Sequence, residues 1–377
     1  MPTDICNMNC VYCFHNNYHE KSGKMTYQTL NKMYDIVFAS YNSVLFIWHG
    51  GEPLCMGKDF YVEALKIQKS YINVHIENRM QSNLTMLSDD MADFLCANNV
   101  GIGSSFDGIN NEILRGNSEE ILAGRQKLIN RGRNCGFIMV LSNKTVDTII
   151  ESYEQFKELK ANFNMNTYVS TTAINNSELE LNTNHTIECL KNFFEYWIKD
   201  SGCNIHVDFF ERILKFILYR EKSVCKYNSC LGKWLGVRYN GDIVPCNRLF
   251  PNRYGMGNVW DYSKISDAFQ SDGFKLLLTE AISRRYKCQS CEIFAFCTGG
   301  CNNVALNENG ISNNNGPTCK ITKGIYKYII DYIASSGDNF FTVEHANPMI
   351  KKLMSKEKIK HGTYHYDVHH DSVNSGM

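Results

Sequence analysis

Sixteen cysteines stand in this chain of 377 residues, and most of them fall into three tight groups. The first is Cys6-x3-Cys10-x2-Cys13. The second is Cys225, Cys230 and Cys246, with Gly241 between the last two. The third is Cys288-x2-Cys291-x5-Cys297-x3-Cys301, followed by Cys319. A secreted disulfide scaffold is short and carries a signal peptide. This chain is long, and it opens Met1-Pro2-Thr3-Asp4 with no basic segment and no apolar segment. In a reducing compartment, closely spaced thiols bind metal. The other five (Cys55, Cys96, Cys135, Cys189, Cys203) are scattered singly and read as small buried hydrophobes.

The grouping bears on which metal. Three thiolates on an iron–sulfur cube leave one iron without a protein ligand, free to be chelated by a small molecule. Eight further thiolates make two complete sets of four. The competing reading is zinc, because Cys-x2-Cys pairs also build zinc ribbons. Cys6, Cys10 and Cys13 make a poor zinc site, with His15 and His19 the nearby candidates for a fourth ligand. Taken together, the three groups favour iron–sulfur.

Lys+Arg and Asp+Glu both total 39, so the net charge is zero and no basic stripe calls for nucleic acid. No apolar run reaches the ~20 residues that span a bilayer. The expectation is a cytoplasmic protein with neither nucleic-acid nor membrane partner.

Residues 1 to about 200 alternate strand-like and helix-like segments. Strands are expected at Val44–His49, Val74–Gln81, Gly101–Phe106, Gly136–Leu141 and Asn166–Thr171. Helices are expected at Thr26–Phe38, Tyr61–Tyr71, Asp89–Asn98 capped by Ser88, and Glu119–Asn130 capped by Ser118. This alternation predicts an α/β fold with a parallel sheet, open or rolled into a barrel, whose chemistry sits at the C-terminal strand ends. Two longer helices are expected at Asn184–Lys199 and Asp208–Tyr219. Asn240-Gly241 predicts a type I′ hairpin that returns Cys246 toward Cys230. Residues 247–320 read as loop-rich with short helices, stapled by their metal. Five of the eleven histidines lie in the last forty residues, His369-His370 among them, and read as a solvated tail.

With these residues in view, the chain resembles the radical S-adenosylmethionine (SAM) superfamily. The resemblance rests on Cys6-x3-Cys10-x2-Cys13 and on His49-Gly50-Gly51-Glu52-Pro53 after the next strand. Gln81-Ser82-Asn83-Leu84-Thr85 and Ser105-Phe106-Asp107-Gly108 at later strand ends add to it. It implies a partial (β/α)6 barrel resembling a TIM barrel over residues 1–200, a helical bridge over 201–224 and a SPASM domain over 225–330. A C-terminal helix and His-rich tail would fill 331–377. It implies SAM contacts from Tyr12, Gly50, Gly51, Glu52, Gln81, Asn83, Ser105 and Asp107. In that reading Glu52 meets the methionine ammonium and the glycines let the backbone approach the cofactor.

Three [4Fe–4S] clusters are implied. Cys6, Cys10 and Cys13 would hold the SAM-binding cluster. Cys225, Cys230, Cys246 and Cys301 would hold one auxiliary cluster, and Cys288, Cys291, Cys297 and Cys319 the other. Only five residues precede Cys6, too few for a full first barrel strand. The implied activity is generation of a 5′-deoxyadenosyl radical, with a flavodoxin or ferredoxin as electron donor.

Two branches of the family fit. One modifies ribosomally made precursor peptides with thioether or carbon–carbon crosslinks. The other, the anaerobic sulfatase maturases, converts Cys or Ser to formylglycine and carries an Asp directly after the Cys of Gly-x4-Cys as base. Here that position is Asn247, an amide that takes no proton at neutral pH. The expectation is therefore the crosslinking branch, with the sulfatase branch as the alternative and the base unassigned.

Overall fold

The computed structural model describes residues 1–15, 23–171, 176–222, 225, 230–249, 251–337, 340 and 347–360. Five strands form one parallel sheet in sequential order: β1 (Ser43–Trp48), β2 (His75–Gln81), β3 (Gly101–Ser105), β4 (Phe137–Leu141) and β5 (Phe163–Thr167). Helices α1 (Tyr27–Phe38), α2 (Lys58–Lys69), α3 (Asp89–Ala97), α4 (Ser118–Ile129) and α5 (Ile149–Glu158) alternate with them. Each connection is a crossover, so every strand runs the same way and all strand C-termini open on one rim. The architecture is an α/β half-barrel, as expected.

The sheet has five strands rather than six among the described residues. At one edge the segment before Cys6 adds a stub: Gly51 N–H donates to Thr3 O (3.0 Å) and Glu52 N–H to Ile5 O (2.8 Å). At the other edge a single parallel bridge joins Phe163 to Val207.

Local chemistry explains most element boundaries. Ser88 caps α3 as expected, its hydroxyl accepting from Met91 N–H at 3.1 Å. The start of α4 differs. Its cap is Asn117 in the left-handed region (φ 55°), and Ser118 is the first helical residue, its hydroxyl accepting from Asn111 Nδ2. The fifth strand lies three residues upstream of the expected start. Phe163 and Met165 alternate into the core and pair with Phe137 and Met139, whereas the chain turns after Thr167, where Tyr168 N–H closes onto Leu141 O. The β-branched Val169 and Thr171 that follow gave a strand-like pattern outside the assigned strand.

Two helices, α6 (Thr183–Lys199) and α7 (Asp208–Tyr219), follow the half-barrel. The hairpin β6 (Gly236–Val237) and β7 (Ile243–Val244) comes next. Its turn differs from the expected type I′, because Gly241 alone has positive φ (89°) and Asn240 does not. Gly241 N–H donates to Arg238 O and Arg238 N–H to Asp242 O, which makes a three-residue loop with glycine at the left-handed position. The cysteine-rich part is less loop-like than expected. It contains α8 (Asp272–Cys288) and α9 (Pro317–Ser336), helices of 17 and 20 residues.

Two apolar cores hold the molecule together, and each draws on both halves of the chain. One joins β1, β2 and helices α1–α3 to Ile243, Met256, Val259 and Phe274. The other joins β4, β5 and α5–α7 to Phe296, Ile321, Ile325 and Ile329. A buried ion pair, Asp4 to Arg238 at 2.5 Å, adds a polar link between the stub and the hairpin. No helix among the described residues is long and apolar enough to cross a membrane. The five C-terminal histidines lie outside the described residues.

Candidate active site and cysteine groups

A cavity of about 380 Å³ opens where the strand ends meet the cysteine-rich part. Cys6, Cys10 and Cys13 line it together with Tyr12, Gly50, Gly51, Glu52, Gln81, Asn83 and Ser105. A tight turn holds the cysteine loop, Cys13 N–H donating to Cys10 O at 3.0 Å. Burial pushes the Cys6 thiol up to about 11 and raises Cys10 as well. Ligation to a metal would replace those thiol protons.

Glu52 is 1% exposed. Its Oε1 accepts from Leu54 N–H and the Ser82 hydroxyl, both at 2.8 Å, and its Oε2 from Asn83 N–H at 2.7 Å. Burial raises its pKa, and these three hydrogen bonds oppose the rise. A buried carboxylate fixed this way beside a cavity is a receptor for an ammonium group. Around it, Gln81 Nε2 donates to the Ser105 hydroxyl at 3.1 Å, tying the β2 end to the β3 end, and Asn83 Nδ2 donates to Asn7 Oδ1 at 2.9 Å.

Two expectations are modified. Gly50 (φ 145°) and Gly51 do line the cavity, but the close approach they permit is to the N-terminal stub. A Cβ on Gly50 would stand 2.3 Å from Thr3 O, and one on Gly51 2.3 Å from Ile5 O. Asp107 does not reach the cavity. It is fully buried; its Oδ1 accepts from Val140 N–H at 2.7 Å and its Oδ2 accepts the Tyr12 hydroxyl proton, while Arg115 Nη1 donates to that same hydroxyl at 2.8 Å. Asp107 thus aims Tyr12 and balances Arg115.

The structure places His15 and His49 in the cavity wall and adds residues that sequence reasoning missed, Arg115, Asn166, Tyr168, Arg248 and Tyr254 among them. Asn166 carried a signal, since it lies in the fifth strand, whose end was misplaced. Arg248 follows Asn247 directly; its guanidinium sits 5.5 Å from the centre of the Phe14 ring. His49 Nδ1 accepts from Gly50 N–H at 2.7 Å. Burial, with His15 and Arg248 nearby, pushes its pKa down to about 3, so His49 is neutral. Glu52 is the one carboxylate among the described residues lining the cavity, and Asn247 does not line it.

The eight remaining grouped cysteines separate electrostatically into two sets. The Cys230 thiol feels Cys225 most strongly, then Cys301 and Cys246. The Cys297 thiol feels Cys319, Cys288 and Cys291. Cys288 ends α8 and Cys319 lies in the first turn of α9, so the two long helices carry two members of the second set, with Cys291 and Cys297 in the segment between them. Arg284 locks the loop between, donating to Gly299 O (2.8 Å) and Ile311 O (2.5 Å).

A half-barrel that gathers three thiols and a buried carboxylate at its strand ends, with eight more thiols in a flanking unit, defines an α/β enzyme dependent on sulfur-ligated metal. Comparison with known proteins gives the family. Residues 1–156 match the Radical SAM superfamily, and residues 225–292 match SPASM, an iron–sulfur cluster-binding domain. The chain is a radical SAM enzyme with a SPASM domain, and its cofactors are SAM and [4Fe–4S] clusters. The donor set described above, thiols grouped by threes and fours beside a buried ammonium receptor, fits them.

Among its relatives is a cysteine-type anaerobic sulfatase-maturating enzyme of Clostridium perfringens, 23% identical over 375 residues. That match covers 89% of this chain and 96% of the relative. A serine-type anaerobic sulfatase-maturating enzyme of Bacteroides thetaiotaomicron is 22% identical over 362 residues, covering 86% of each. The solved structure of native anSMEcpe with bound AdoMet superposes with a TM-score of 0.81 at 22% identity, covering 90% of this chain and 97% of that one. These relatives fall on the sulfatase-maturating side, the alternative, rather than on the crosslinking side that Asn247 favoured.

Proposed function

We propose that this enzyme oxidises a side chain of a peptide or protein substrate to Cα-formylglycine; its similarity to cysteine-type and serine-type anaerobic sulfatase-maturating enzymes supports this reading. The observation that carries the reading is the single cavity. It runs from Cys6, Cys10, Cys13 and Glu52 to Arg248, Tyr254 and Asn303, which supports a substrate side chain held by the cysteine-rich part reaching the proposed SAM site. A structure of anSMEcpe with AdoMet and the Cp18Cys peptide, TM-score 0.79, supports a peptide as substrate class.

In this reading Cys6, Cys10 and Cys13 hold the SAM-binding cluster, Glu52 receives the methionine ammonium, and Tyr12, Gln81, Asn83 and Ser105 line the remainder of the SAM site. When bound, SAM and this cluster supply the 5′-deoxyadenosyl radical that abstracts a hydrogen atom. Cys225, Cys230, Cys246 and Cys301, and Cys288, Cys291, Cys297 and Cys319, would hold two further clusters with no iron left open, which would supply electron-accepting capacity for the oxidation. A flavodoxin or ferredoxin supplies the starting electron.

The substrate residue in this reading is Cys rather than Ser. With Asn247 in place of an acid and Glu52 committed to the ammonium, the described residues lining the cavity leave no carboxylate to draw a proton from a hydroxyl. A thiol, with pKa ~8.5, loses its proton far more readily. His15, 4% exposed in the cavity wall and 6.3 Å from His49 between ring centres, is the base we assign to that proton; loss of the proton with a hydrogen atom and an electron leaves a thioaldehyde, which water hydrolyses to the aldehyde with release of hydrogen sulfide.

The test is an anaerobic assay on a peptide pair differing only in Cys or Ser, with aldehyde capture by a hydrazide as the readout. Aldehyde from the Cys peptide and none from the Ser peptide is expected. SAM cleavage with neither aldehyde, or with a mass loss that signals a crosslink, would return the assignment to the crosslinking branch.

A further inference from the structure

Cys189, which reads in the sequence as a small buried hydrophobe, does not stand alone in the fold. Its Sγ lies 3.6 Å from His185 Nε2 and 3.7 Å from Asp147 Oδ1, and those two atoms lie 2.5 Å apart. His185 and Cys189 sit one turn apart on α6, so both side chains leave the same face of the helix. Asp147 comes from the connection between β4 and α5. None of the three lines the cavity described above.

A plain surface ion pair explains the short distance from His185 to Asp147. It does not explain why the thiol faces the same imidazole nitrogen and the same carboxylate oxygen. Three donors of three chemical types converge on one point. Around a tetrahedral zinc, with Zn–S ~2.3 Å and Zn–N or Zn–O ~2.0–2.1 Å, the sulfur edges of the ligand triangle are ~3.6 Å and the nitrogen–oxygen edge ~3.4 Å. Both sulfur edges already have that length. The nitrogen–oxygen edge is shorter because a hydrogen bond now spans it, and it opens by under ~1 Å when a metal replaces the proton.

Cys189 packs against the apolar core and is anchored, while the other two side chains are half exposed and free to make that adjustment (50% for His185 and 61% for Asp147). The helix itself is well started, Asn182 accepting from His185 N–H at 3.1 Å.

We propose that Asp147, His185 and Cys189 form a mononuclear site for zinc or a similar borderline divalent cation, separate from the cluster cysteines. Its fourth position faces solvent and takes water. Binding releases the Cys189 thiol proton and ties the N-terminal turn of α6 to the β4–α5 connection.

The test uses the enzyme with its clusters assembled, so that the cluster cysteines are occupied. After equilibration with zinc and gel filtration, zinc and iron are counted together, and the zinc absorption edge is measured. About one zinc per chain is expected, in a shell of one sulfur with nitrogen and oxygen neighbours. His185→Ala and Cys189→Ser are each expected to lose that zinc while keeping their iron and their rate of SAM cleavage. No zinc on the wild-type enzyme would overturn the proposal. So would equal zinc on wild-type and both variants, or a shell of four sulfurs showing zinc in a cluster site.

Discussion

Glu52 and Asp107 are both buried carboxylates near the strand ends, yet they do different work. Glu52 faces the cavity with its oxygens held by backbone and hydroxyl donors, whereas Asp107 faces inward and holds Tyr12 against Arg115. Glu52→Gln is expected to weaken SAM binding by roughly 10- to 100-fold, the worth of a hydrogen bond to a charged group. Equilibrium dialysis with labelled SAM measures it. Asp107→Ala is expected to act on stability instead, costing ~1–3 kcal/mol because it leaves the Val140 N–H and the Tyr12 hydroxyl without their acceptor. Its melting temperature should fall while the surviving folded fraction still binds SAM. Which of two acids in similar motifs points into the site is not legible from the motifs, because that depends on the turn each strand end makes.

At the scale of elements, the seam between the stub and the β1 end is the tightest piece of backbone packing in the site. Gly51→Ala would put a methyl group 2.3 Å from Ile5 O and 2.7 Å from Asp4 C, atoms with no side-chain freedom to yield. A loss of ~1–3 kcal/mol is expected, together with weaker SAM binding because Glu52 hangs from the same seam. Thermal melts and dialysis on one preparation check both.

Helix α7 offers a pH test. Burial pushes the Glu211 carboxyl up, but hydrogen bonds from His206 (2.7 Å) and Lys215 (3.1 Å) more than offset this, and its pKa is lowered. A depressed carboxyl stabilises the fold above its unfolded pKa of ~4.3, and that contribution is lost as pH falls through the lower folded value. The gap in melting temperature between wild type and Glu211→Gln should therefore be widest near neutrality and close below ~pH 4.3. A gap that widens on acidification would refute the sign.

For the whole molecule, the cysteine groups decide the outcome. Anaerobic reconstitution should give about twelve irons per chain, the content of three cubes. Cys319→Ser should remove about four of them. Because α8 and α9 both lead into that thiol set, and α9 packs on α6, the loss should also lower the melting temperature. Two zincs and no iron would end the iron–sulfur reading.

The fold class, the order of strands and helices and the rim that carries chemistry were all legible beforehand. Each follows from local rules: apolar period, capping residues, and the parallel pairing that strand–helix alternation imposes. Cysteine spacing added the Cys6, Cys10 and Cys13 group for the same reason, since neighbours in sequence cannot be far apart in space, whereas Cys301 sits with the distant Cys230 and Cys246 rather than with its neighbour Cys297. What only the tertiary structure decided involves residues distant in the chain. It brought Asp4 to Arg238, Tyr12 to Asp107 and Arg115, and Arg248 to Phe14, and it turned Gly50 and Gly51 toward the N-terminal stub. It also set Cys189 beside His185 and Asp147, a contact between a helix face and a loop about forty residues away. Such pairings arise when helices and strand ends close over a shared core, and no pattern within one segment encodes which distant partner that closure will bring.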